Sequence, residues 1–598
     1  MAESSQSRPP SDRDLASMAE ARQLARAARA AQLQLGELPQ ERIDAIVDAM
    51  AAAIGPHLEP LAQAAVDETG FGVVADKVQK NRFAAEQVHA FIRPMRTVGV
   101  LRRDEARKVI EIGEPFGVVA AIVPSTNPTS TAIYKVLIAL KARCALVISP
   151  HPSAVRCISR TAEVMAAAAA QAGAPTGSIG WMRTVTLEGT QELMRQREVA
   201  LILATGGLGL VRAAYSAGKP AYGVGPGNAP CYVHGSADPA KAASDIVVGK
   251  TFDHGLLCSS PNSVVADRAV EPALRAALVA RGAHFLASAD AQTLAAALVT
   301  PQRLPNPALV GRSALDIART VGLQVPPGTR VLVAELDGVG RDYPLSIEKL
   351  CPVLSYYVVD DWRAGCERCK AILRYGGMGH TMSVHARDDE VVLQFGLHKP
   401  AYRIVVNTPT THGSIGLTTG LAPAMTLGCG GFGGNITSDN ITPLHLLNIK
   451  RVAYELRAAA TAPLVGAAVA QPATTPQADA MPDVASAHRP AVPERVRTLD
   501  AATLTSRIDQ FLASRGITRQ TDLAVAPSGT PPQAAPSVSP AALQPADPPA
   551  DFVCEDDVRQ ALRTGRRIHL AARAIVTPAA RDLGDAHDVF VADGTGTT

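Results

Sequence analysis

Short apolar runs alternate with helix-like segments from residue 118 onward, and this alternation constrains the fold of the chain more than any other feature. The predicted strands are 118–123, 145–149 and 199–204. The predicted helices are 128–141, 153–172 and 208–216. Strands that alternate with helices indicate an α/β fold with a doubly wound parallel sheet, and a second alternating block follows from about 231 to 423.

The composition changes after residue 457. The segments 461–494 and 520–550 are dense in Pro, Ala, Gln, Thr and Ser, so they bury too little apolar surface to offset the loss of chain entropy. We therefore expect 458–550 to be a linker in a largely disordered C-terminal tail. Two islands interrupt the tail, a short amphipathic helix at 498–516 and a small folded module at 551–598. The apolar stripe of that helix consists of Leu504, Ile508, Phe511 and Leu512.

Charge and composition exclude several classes of protein. The 58 basic residues are balanced by 55 acidic ones, which gives no argument for a nucleic-acid partner. No apolar span reaches the length of a transmembrane helix, and the polar segment 1–16, predicted to be disordered, has no signal-peptide core. The nine cysteines are scattered, which is typical of a reducing cytoplasm. The pair Cys366 and Cys369 has no second pair and is weak evidence for zinc, so no metal site is predicted.

Two sequence segments carry the chemistry. The first, Thr-Phe-Asp-His-Gly-Leu-Leu-Cys-Ser-Ser-Pro-Asn at 251–262, places Cys258 just after a loop that contains glycine. The second, Pro-Ser-Thr-Asn-Pro at 124–128, follows a predicted strand and opens a predicted helix. Together these segments resemble the nucleophile loop and the oxyanion-hole motif of the aldehyde dehydrogenase superfamily, most closely its coenzyme-A-acylating branch. The resemblance covers residues 20–456.

The resemblance implies a catalytic role for Cys258 and Asn127. The Cys258 thiolate would add to an aldehyde, lose a hydride and leave a thioester, while the Asn127 amide and the Cys258 N–H hold the oxyanion. A purely structural alternative stays open for Asn127, which stands at a helix N-cap position before Pro128. The site, or the bound cofactor, is expected to lower the pKa of the thiol.

The resemblance also places the nicotinamide cofactor. The turn Ala-Thr-Gly-Gly-Leu-Gly at 204–209 is similar to the turn that contacts the pyrophosphate, although an ordinary strand-to-helix turn would look the same. Gly428–Gly433 spells a dinucleotide motif, but it opens no strand-helix-strand unit and is interpreted as a decoy. The predicted cofactor-binding residues are Ser149, His151, Thr205, Gly206, Gly207, Gly225 and Glu348.

Two of these positions, together with Val224, bear further on the predicted chemistry. Glu348 matches the element that contacts the nicotinamide ribose, the alternative being a solvated helix charge. Around His151 no carboxylate for the adenosine 2′-hydroxyl is visible, so NAD is expected and NADP stays open. Val224 stands about where hydrolytic relatives carry their glutamate base. Without that base, water is poorly activated, and the resemblance points to acyl transfer to coenzyme A.

Weaker candidates accompany these residues. His380 lies in a stretch similar to one near the active site of the acylating branch, where it would assist deprotonation of coenzyme A. His254 precedes Cys258 by four residues. For both histidines a structural role is the alternative to a catalytic one, and histidines in such positions are more often structural. The sequence Ser260-Pro261-Asn262 departs from the Ser-Glu-Gln of the family, which puts the substrate pocket and the local packing in doubt.

The sequence thus predicts an NAD-dependent acylating aldehyde dehydrogenase that converts a short aldehyde, acetaldehyde or propanal, to an acyl-coenzyme A. Sulfoacetaldehyde stays open as a substrate, and a hydrolytic enzyme or a non-enzymatic scaffold are the alternatives. A homo-oligomer, either a dimer or a tetramer, is expected. The helix at 498–516 resembles the encapsulation peptides of bacterial microcompartments, which implies shell or cargo partners and a location inside such a compartment in the cytoplasm.

The same resemblance divides the chain into functional parts. The expected parts are a cofactor-binding domain at 17–230, a catalytic domain at 231–424, and a return to the cofactor domain with an oligomerisation segment at 425–457.

Overall fold

A computed structural model describes residues 10–457 and 550–576, together with 580, 581, 583, 584, 587 and 589–592. They belong to two compact units, one within 1–467 and one within 468–598, and each is described by itself. The predicted helix at 498–516 and most of the predicted linker lie outside the described residues.

The first unit contains helices and strands in alternation after an all-helical beginning. The helices are α1 (Asp12–Gly36), α2 (Gln40–Ile54), α3 (Leu58–Thr69), α4 (Val74–Arg82), α5 (Val88–Ile92), α6 (Pro128–Lys141), α7 (Val155–Gln171), α8 (Leu187–Arg195), α9 (Leu208–Tyr215), α10 (Pro239–Thr251), α11 (Glu271–Val279), α12 (Ser288–Leu298), α13 (Ala314–Val321), α14 (Trp362–Tyr375), α15 (Asp389–His398) and α16 (Thr410–Ser414). The strands are β1 (Gly99–Asp104), β2 (Val109–Pro115), β3 (Val118–Val123), β4 (Leu146–Pro150), β5 (Ile179–Trp181), β6 (Val199–Thr205), β7 (Ala221–Val224), β8 (Ala229–Val233), β9 (Pro261–Asp267), β10 (Ala283–Phe285), β11 (Val331–Glu335), β12 (Val353–Val359), β13 (Gly379–His385), β14 (Ala401–Val406) and β15 (Leu447–Ala453).

The first α/β layer is a parallel sheet of five strands in the order β5-β4-β3-β6-β7. Its central strand β3 is entirely buried, and its side chains alternate between two cores. Val119, Ala121 and Val123 face one core, whereas Val118, Ala120 and Ile122 face the other. This explains the unbroken apolar run, because a parallel sheet covered by helices on both faces needs apolar residues on both. The predicted doubly wound sheet is confirmed, and its strands and helices lie within two residues of their predicted bounds.

The N-terminal helix starts earlier than the sequence predicted. Helix α1 begins at Asp12, so the prediction of disorder is wrong for residues 12–16. Ser11 and Asp14 form a reciprocal capping box, in which the Ser11 side chain accepts from the Asp14 N–H and the Asp14 carboxylate accepts from the Ser11 N–H. The polar composition that indicated disorder is therefore that of a capped helix start.

The second α/β layer is a parallel sheet of seven strands in the order β10-β11-β12-β9-β8-β13-β14. The chain enters this sheet at β8, close to the boundary predicted at residue 231. Strand β9 lies near the middle, and the loop between α10 and β9 carries Cys258. A third, antiparallel sheet has the order β1-β2-β15, so the returning segment after residue 425 pairs with the early hairpin.

The second unit contains a small parallel sheet. Its elements are β16 (Ala550–Val553), α17 (Glu555–Thr564), β17 (Ile568–Val576) and β18 (Phe590–Ala592). The strands are parallel in the order β16-β17-β18, and Val553, Val558 and Val589 belong to their apolar core. The segment predicted to be a folded module thus contains an α/β arrangement. Across the ranges that the structure describes, no helix is both long and apolar enough to cross a bilayer.

A buried hydrogen bond ties the first sheet layer to the returning segment, and it generates a stability prediction. Tyr134 on α6 is fully buried and donates its hydroxyl to the carbonyl of Ile441 at 2.5 Å. Tyr134→Phe leaves that carbonyl without this donor, which costs about 1–3 kcal/mol. We expect a lower midpoint of thermal unfolding in differential scanning fluorimetry. Tyr454→Phe, at a side chain that is 59% exposed, is the control and should leave the midpoint unchanged. Equal midpoints for the two variants would contradict this account.

Candidate functional site

A cavity of about 420 Å³ opens at the carboxyl ends of β3, β4 and β6. From β3 the chain continues to β4 and β5 on one side of the sheet, whereas β6 and β7 lie on the other. The cavity therefore lies at the topological switch point, where open parallel sheets bind ligands. Among the lining residues are nine predicted site residues, namely Asn127, Ser149, His151, Thr205, Gly206, Gly207, Gly225, Cys258 and Glu348.

The turn after β6, which the sequence predicts to contact the pyrophosphate, places a helix N-terminus at the cavity. Strand β6 ends at Thr205, and α9 begins after Gly207, its N-cap residue, so the helix N-terminus is beside the cavity. The N–H groups of a helix start and its dipole favour a phosphate there. A Cβ on Gly206 would lie 2.6 Å from a terminal methyl group of Leu210, so a larger residue here would require that side chain to move.

Another wall of the cavity is formed by the end of β4 and the residues that follow it. Ser149 is buried, and its hydroxyl shares a hydrogen bond of 2.8 Å with the hydroxyl of Thr190. The ring Nδ1 of His151 accepts from the backbone N–H of Ser153 at 3.2 Å, and burial lowers the pKa of His151, so its ring is neutral at pH 7. No lysine or arginine lines this cavity within the described part of the chain.

The loop before Cys258 has an unusual backbone. Asp253, His254 and Gly255 have φ angles of 49°, 53° and 74° in succession, which reverses the chain after α10. The carbonyl of Cys258 then approaches Gly227, where a Cβ would lie 2.1 Å from that oxygen. Only glycine allows this contact, so the loop between β7 and β8 positions the cysteine directly.

Asn262 fixes the other side of the cysteine loop. Its side-chain N–H groups donate to the carbonyls of Gly227 at 3.2 Å and Ser260 at 3.1 Å. Its Oδ1 accepts from the Nζ of Lys250 and from the backbone N–H of Lys349, both at 3.1 Å. The departure from the family sequence that put the local packing in doubt is thus accommodated by a buried, fully bonded asparagine.

The residues around Cys258 do not lower the pKa of its thiol. Burial, and after it the neighbouring Glu348 carboxyl, raises the pKa of the Cys258 thiol to about 12. The expectation that the surrounding residues lower this pKa is therefore wrong. The bound cofactor is then the remaining predicted source of thiolate stabilisation.

Asn127 occupies the N-cap position of α6, yet its side chain makes no capping hydrogen bond. Instead its Oδ1 accepts from the Nζ of Lys80 at 2.5 Å, and its Nδ2 donates to the hydroxyl of Thr126 at 3.2 Å. The structural alternative for this residue, a side-chain helix cap, is not what the structure shows. The amide lines the same cavity as Cys258.

Glu348 lies in the cavity and is not the solvated helix charge that was its alternative. It follows a short 3-10 turn at Pro344–Ser346, and its Oε1 accepts from the backbone N–H of Gly227 at 2.9 Å. Burial raises the pKa of Glu348 to about 8, so the carboxyl is mostly protonated at neutral pH. A protonated carboxyl can donate a hydrogen bond to a ribose hydroxyl or accept one from it.

The two histidine candidates are not in the cavity lining. His380 is fully buried behind Gly227, and burial lowers the pKa of its ring to about 3. Its Nε2 has no hydrogen-bond partner among the described residues. His254 lines a second cavity together with Asp76 and Arg330. Their predicted contributions to catalysis stay predictions.

Sequence reasoning missed the polar residues behind the cavity. Lys77, Lys80 and Asp253 form a buried cluster that contacts Asn127. The one available signal was the spacing of Lys77 and Lys80, which puts both on one face of a helix.

In the stretches that the structure describes, no group of three or more potential ligands could hold a metal, and Cys366 and Cys369 are buried on α14.

Comparisons with known proteins agree with this geometry. The profile of the aldehyde dehydrogenase family matches residues 8–313. The bifunctional aldehyde-alcohol dehydrogenase AdhE of Escherichia coli (strain K12) is 40% identical over 441 residues, which are 73% of this chain and 49% of that protein. The chain thus spans about half the length of this relative.

Solved structures match nearly over their whole length. An acetylating aldehyde dehydrogenase from Geobacillus thermoglucosidasius superposes with a TM-score of 0.74 and 47% identity, covering 76% of this chain and 100% of that one. A propionaldehyde dehydrogenase from the Clostridium phytofermentans fucose utilisation bacterial microcompartment superposes with a TM-score of 0.66 and 26% identity. The match covers 73% of this chain and 97% of that one. These matches confirm the resemblance to acylating enzymes that was predicted from the segments 124–128 and 251–262. The chain belongs to the aldehyde dehydrogenase family.

Proposed function

We propose that the protein is a coenzyme-A-acylating aldehyde dehydrogenase that oxidises a short aldehyde through a cysteine thioester. One observation carries the proposal, which is that a nucleophile, an amide donor and a helix N-terminus share one cavity at the switch point. Cys258 supplies the sulfur that adds to the carbonyl carbon. The Asn127 amide and the Cys258 N–H donate to the oxygen that becomes negative.

The remaining cavity residues bind and orient the reactants. When bound, NAD accepts the hydride and coenzyme A supplies the thiol that takes the acyl group. The N–H groups after Thr205 suit the pyrophosphate, and Glu348 suits a ribose hydroxyl. The 2′-phosphate of NADP favours a cationic partner, and no lysine or arginine lines the described cavity, which supports NAD.

The cavity supports acyl transfer over hydrolysis. Val224, where a hydrolytic relative would carry its base, is 2% exposed and lines the cavity. Glu348 is the one carboxyl among the described lining residues, and it is mostly protonated at neutral pH. Water therefore has no ionised carboxylate to activate it, whereas a thiol ionises nearer to neutrality and needs less assistance.

The same comparisons support a substrate and a location. The solved relatives are named for acetylating and propionaldehyde chemistry, which supports acetaldehyde or propanal here. One of them belongs to a microcompartment. Together with the apolar stripe at 498–516 and its Pro/Ala-rich flanks, this supports encapsulation through that segment. The antiparallel sheet with β15 at its edge supports a homo-oligomer.

Removal of the nucleophile tests the proposal directly. Cys258→Ala should lower NADH formation by at least about a thousandfold, because no covalent intermediate forms. Intact-mass analysis of the wild-type protein with aldehyde and NAD should show an acyl adduct on Cys258. Cys144→Ala, at a fully buried cysteine of the core, is the control and should stay active. Undiminished activity of Cys258→Ala would refute the assignment, and an inactive wild-type protein would favour a scaffold.

The choice between acyl transfer and hydrolysis is tested by coenzyme A. With propanal and NAD, steady-state NADH formation should depend on coenzyme A, because the thioester otherwise persists. Val224→Glu introduces a carboxylate beside the cavity and should raise turnover without coenzyme A by about tenfold or more. Val224→Gln is the matched control, since it has a similar size and no basic oxygen. Equal wild-type rates with and without coenzyme A would instead indicate a hydrolytic enzyme.

Encapsulation is tested by deletion. A protein that lacks residues 495–517 should keep its activity in solution and lose co-purification with microcompartment shells, because the apolar stripe is removed. Deletion of the 23 residues 524–546 shortens the tail equally and leaves the stripe in place. If shells still retain the first variant as well as the second, the segment is not an encapsulation peptide.

A further inference from the structure

Helix α4 places two lysines one turn apart behind the cavity. Lys77 and Lys80 are each 2% exposed, and Asp253 beside them is fully buried. The Nζ of Lys77 lies 3.0 Å from Oδ2 of Asp253, and the Nζ of Lys80 contacts the same oxygen. Burial raises the pKa of Asp253, but the two ammonium groups outweigh it and hold that pKa below its ordinary value. Burial lowers the pKa of Lys80 to about 8, although the Asp253 carboxylate opposes this shift, so the cluster is ionised at neutral pH.

Both lysines also reach the segment that follows β3. Lys80 donates from Nζ to Oδ1 of Asn127 at 2.5 Å, and Lys77 donates to the carbonyl of Thr126 at 3.2 Å. An ammonium group has donors only, so the amide of Asn127 must turn its oxygen toward Lys80. A rotation by 180° would place the amide NH₂ against the ammonium group.

This contact decides which part of Asn127 is left for a ligand. One N–H of its Nδ2 donates to the hydroxyl of Thr126 at 3.2 Å, and the amide lines the cavity of Cys258. The second hydrogen of Nδ2 is the one available to an oxyanion. The cation at the opposite end of the amide also polarises it, which strengthens its N–H as a donor.

Asp253 connects the same cluster to the nucleophile loop. Its Oδ1 accepts from the backbone N–H of Val73 at 2.7 Å, and its own N–H donates to Oδ2 of Asp76 at 2.7 Å. It stands five residues before Cys258, in the left-handed turn that reverses the chain. The cluster thus contacts the Asn127 side chain directly, and its carboxylate belongs to the same loop as the Cys258 N–H.

We propose that Lys80 is a positioning residue of the oxyanion hole, which fixes the Asn127 amide and, through Asp253, holds it in place relative to the Cys258 loop. The inference rests on one step of the proposed function, the oxidation of the aldehyde to a thioester on Cys258. It assigns no contact with the substrate to Lys80.

A buried lysine elsewhere in the chain provides a matched control. Lys141 on α6 is fully buried, its Nζ lies 2.5 Å from Oδ1 of Asp44, and it donates to the carbonyl of Arg93 at 2.9 Å. It thus has a carboxylate and a carbonyl as partners, as Lys77 does, and none of these residues lines the cavity. Lys141→Met measures what the loss of a buried ammonium group does by itself.

The test is the pre-steady-state burst of NADH at saturating aldehyde and NAD without coenzyme A. Lys80→Met should slow the burst by about 10- to 100-fold. This loss should not exceed the loss expected when an oxyanion donor itself is removed, because the Asn127 amide is still present. Alkylation of Cys258 by iodoacetamide forms no oxyanion, so its rate should equal that of the wild type. Lys141→Met should keep the wild-type burst. A wild-type burst rate in Lys80→Met would overturn the inference.

A double-mutant cycle separates positioning from general structural damage. If Lys80 acts through Asn127, then Lys80→Met should slow the burst by less than about twofold in an Asn127→Ala background. The same factor in both backgrounds would contradict the inference.

If Lys80→Met does not fold, Lys80→Gln decides, because its amide is uncharged and can accept as well as donate, so it neither fixes nor polarises the Asn127 amide and should slow the burst by about tenfold or more. A folded Lys80→Gln with a wild-type burst rate overturns the inference. Absence of any burst from the wild-type protein would contradict the proposed function instead.

Discussion

The close approach of the Gly227 backbone to Cys258 is the contact on which the rest of the site depends. A Cβ at residue 227 would lie 2.1 Å from the Cys258 carbonyl oxygen, so the two segments touch at main-chain distance. The Gly227 N–H donates to Glu348, and its carbonyl accepts from Asn262. One residue in the connection between the two parallel sheets therefore sets the relative positions of the nucleophile, the cavity carboxyl and the loop that carries them.

The cavity built around this contact holds no ionised side chain at neutral pH among its described lining residues. Burial raises the pKa of Cys258 and of Glu348, and it lowers the pKa of His151, so each of these groups is neutral. In the proposed reaction, charges would be stabilised by dipoles, which are the start of α9, the Asn127 amide and the Cys258 N–H. Such dipoles act strongly where water is excluded, because the local dielectric constant is low.

The sequence was sufficient for those parts of the structure that depend on local pattern. The apolar runs predicted β3, β4 and β6, since a strand covered on both faces needs apolar residues throughout. The short motifs predicted residues that meet in one cavity, because parallel strands bring their carboxyl ends to one edge of the sheet. The sequence was insufficient where contacts join distant positions. Lys80 and Asp253 are 173 residues apart, and no spacing rule relates a lysine on one helix to an aspartate in a remote turn.

The charged cluster behind the cavity is connected to the neutral groups that line it through the backbone of the loop that carries Cys258. Asp253 and His254 adopt left-handed φ angles, which cost about 1–2 kcal/mol for residues with a side chain. The cost is offset at Asp253, because its carboxylate binds two ammonium groups and the N–H of Val73. A neutral residue there would keep the strain and lose those partners, and the two buried lysines would lose the carboxylate that they both contact. The turn that presents Cys258 is therefore maintained by charges outside the cavity, whereas the Cys258 thiol and the Glu348 carboxyl within it are neutral.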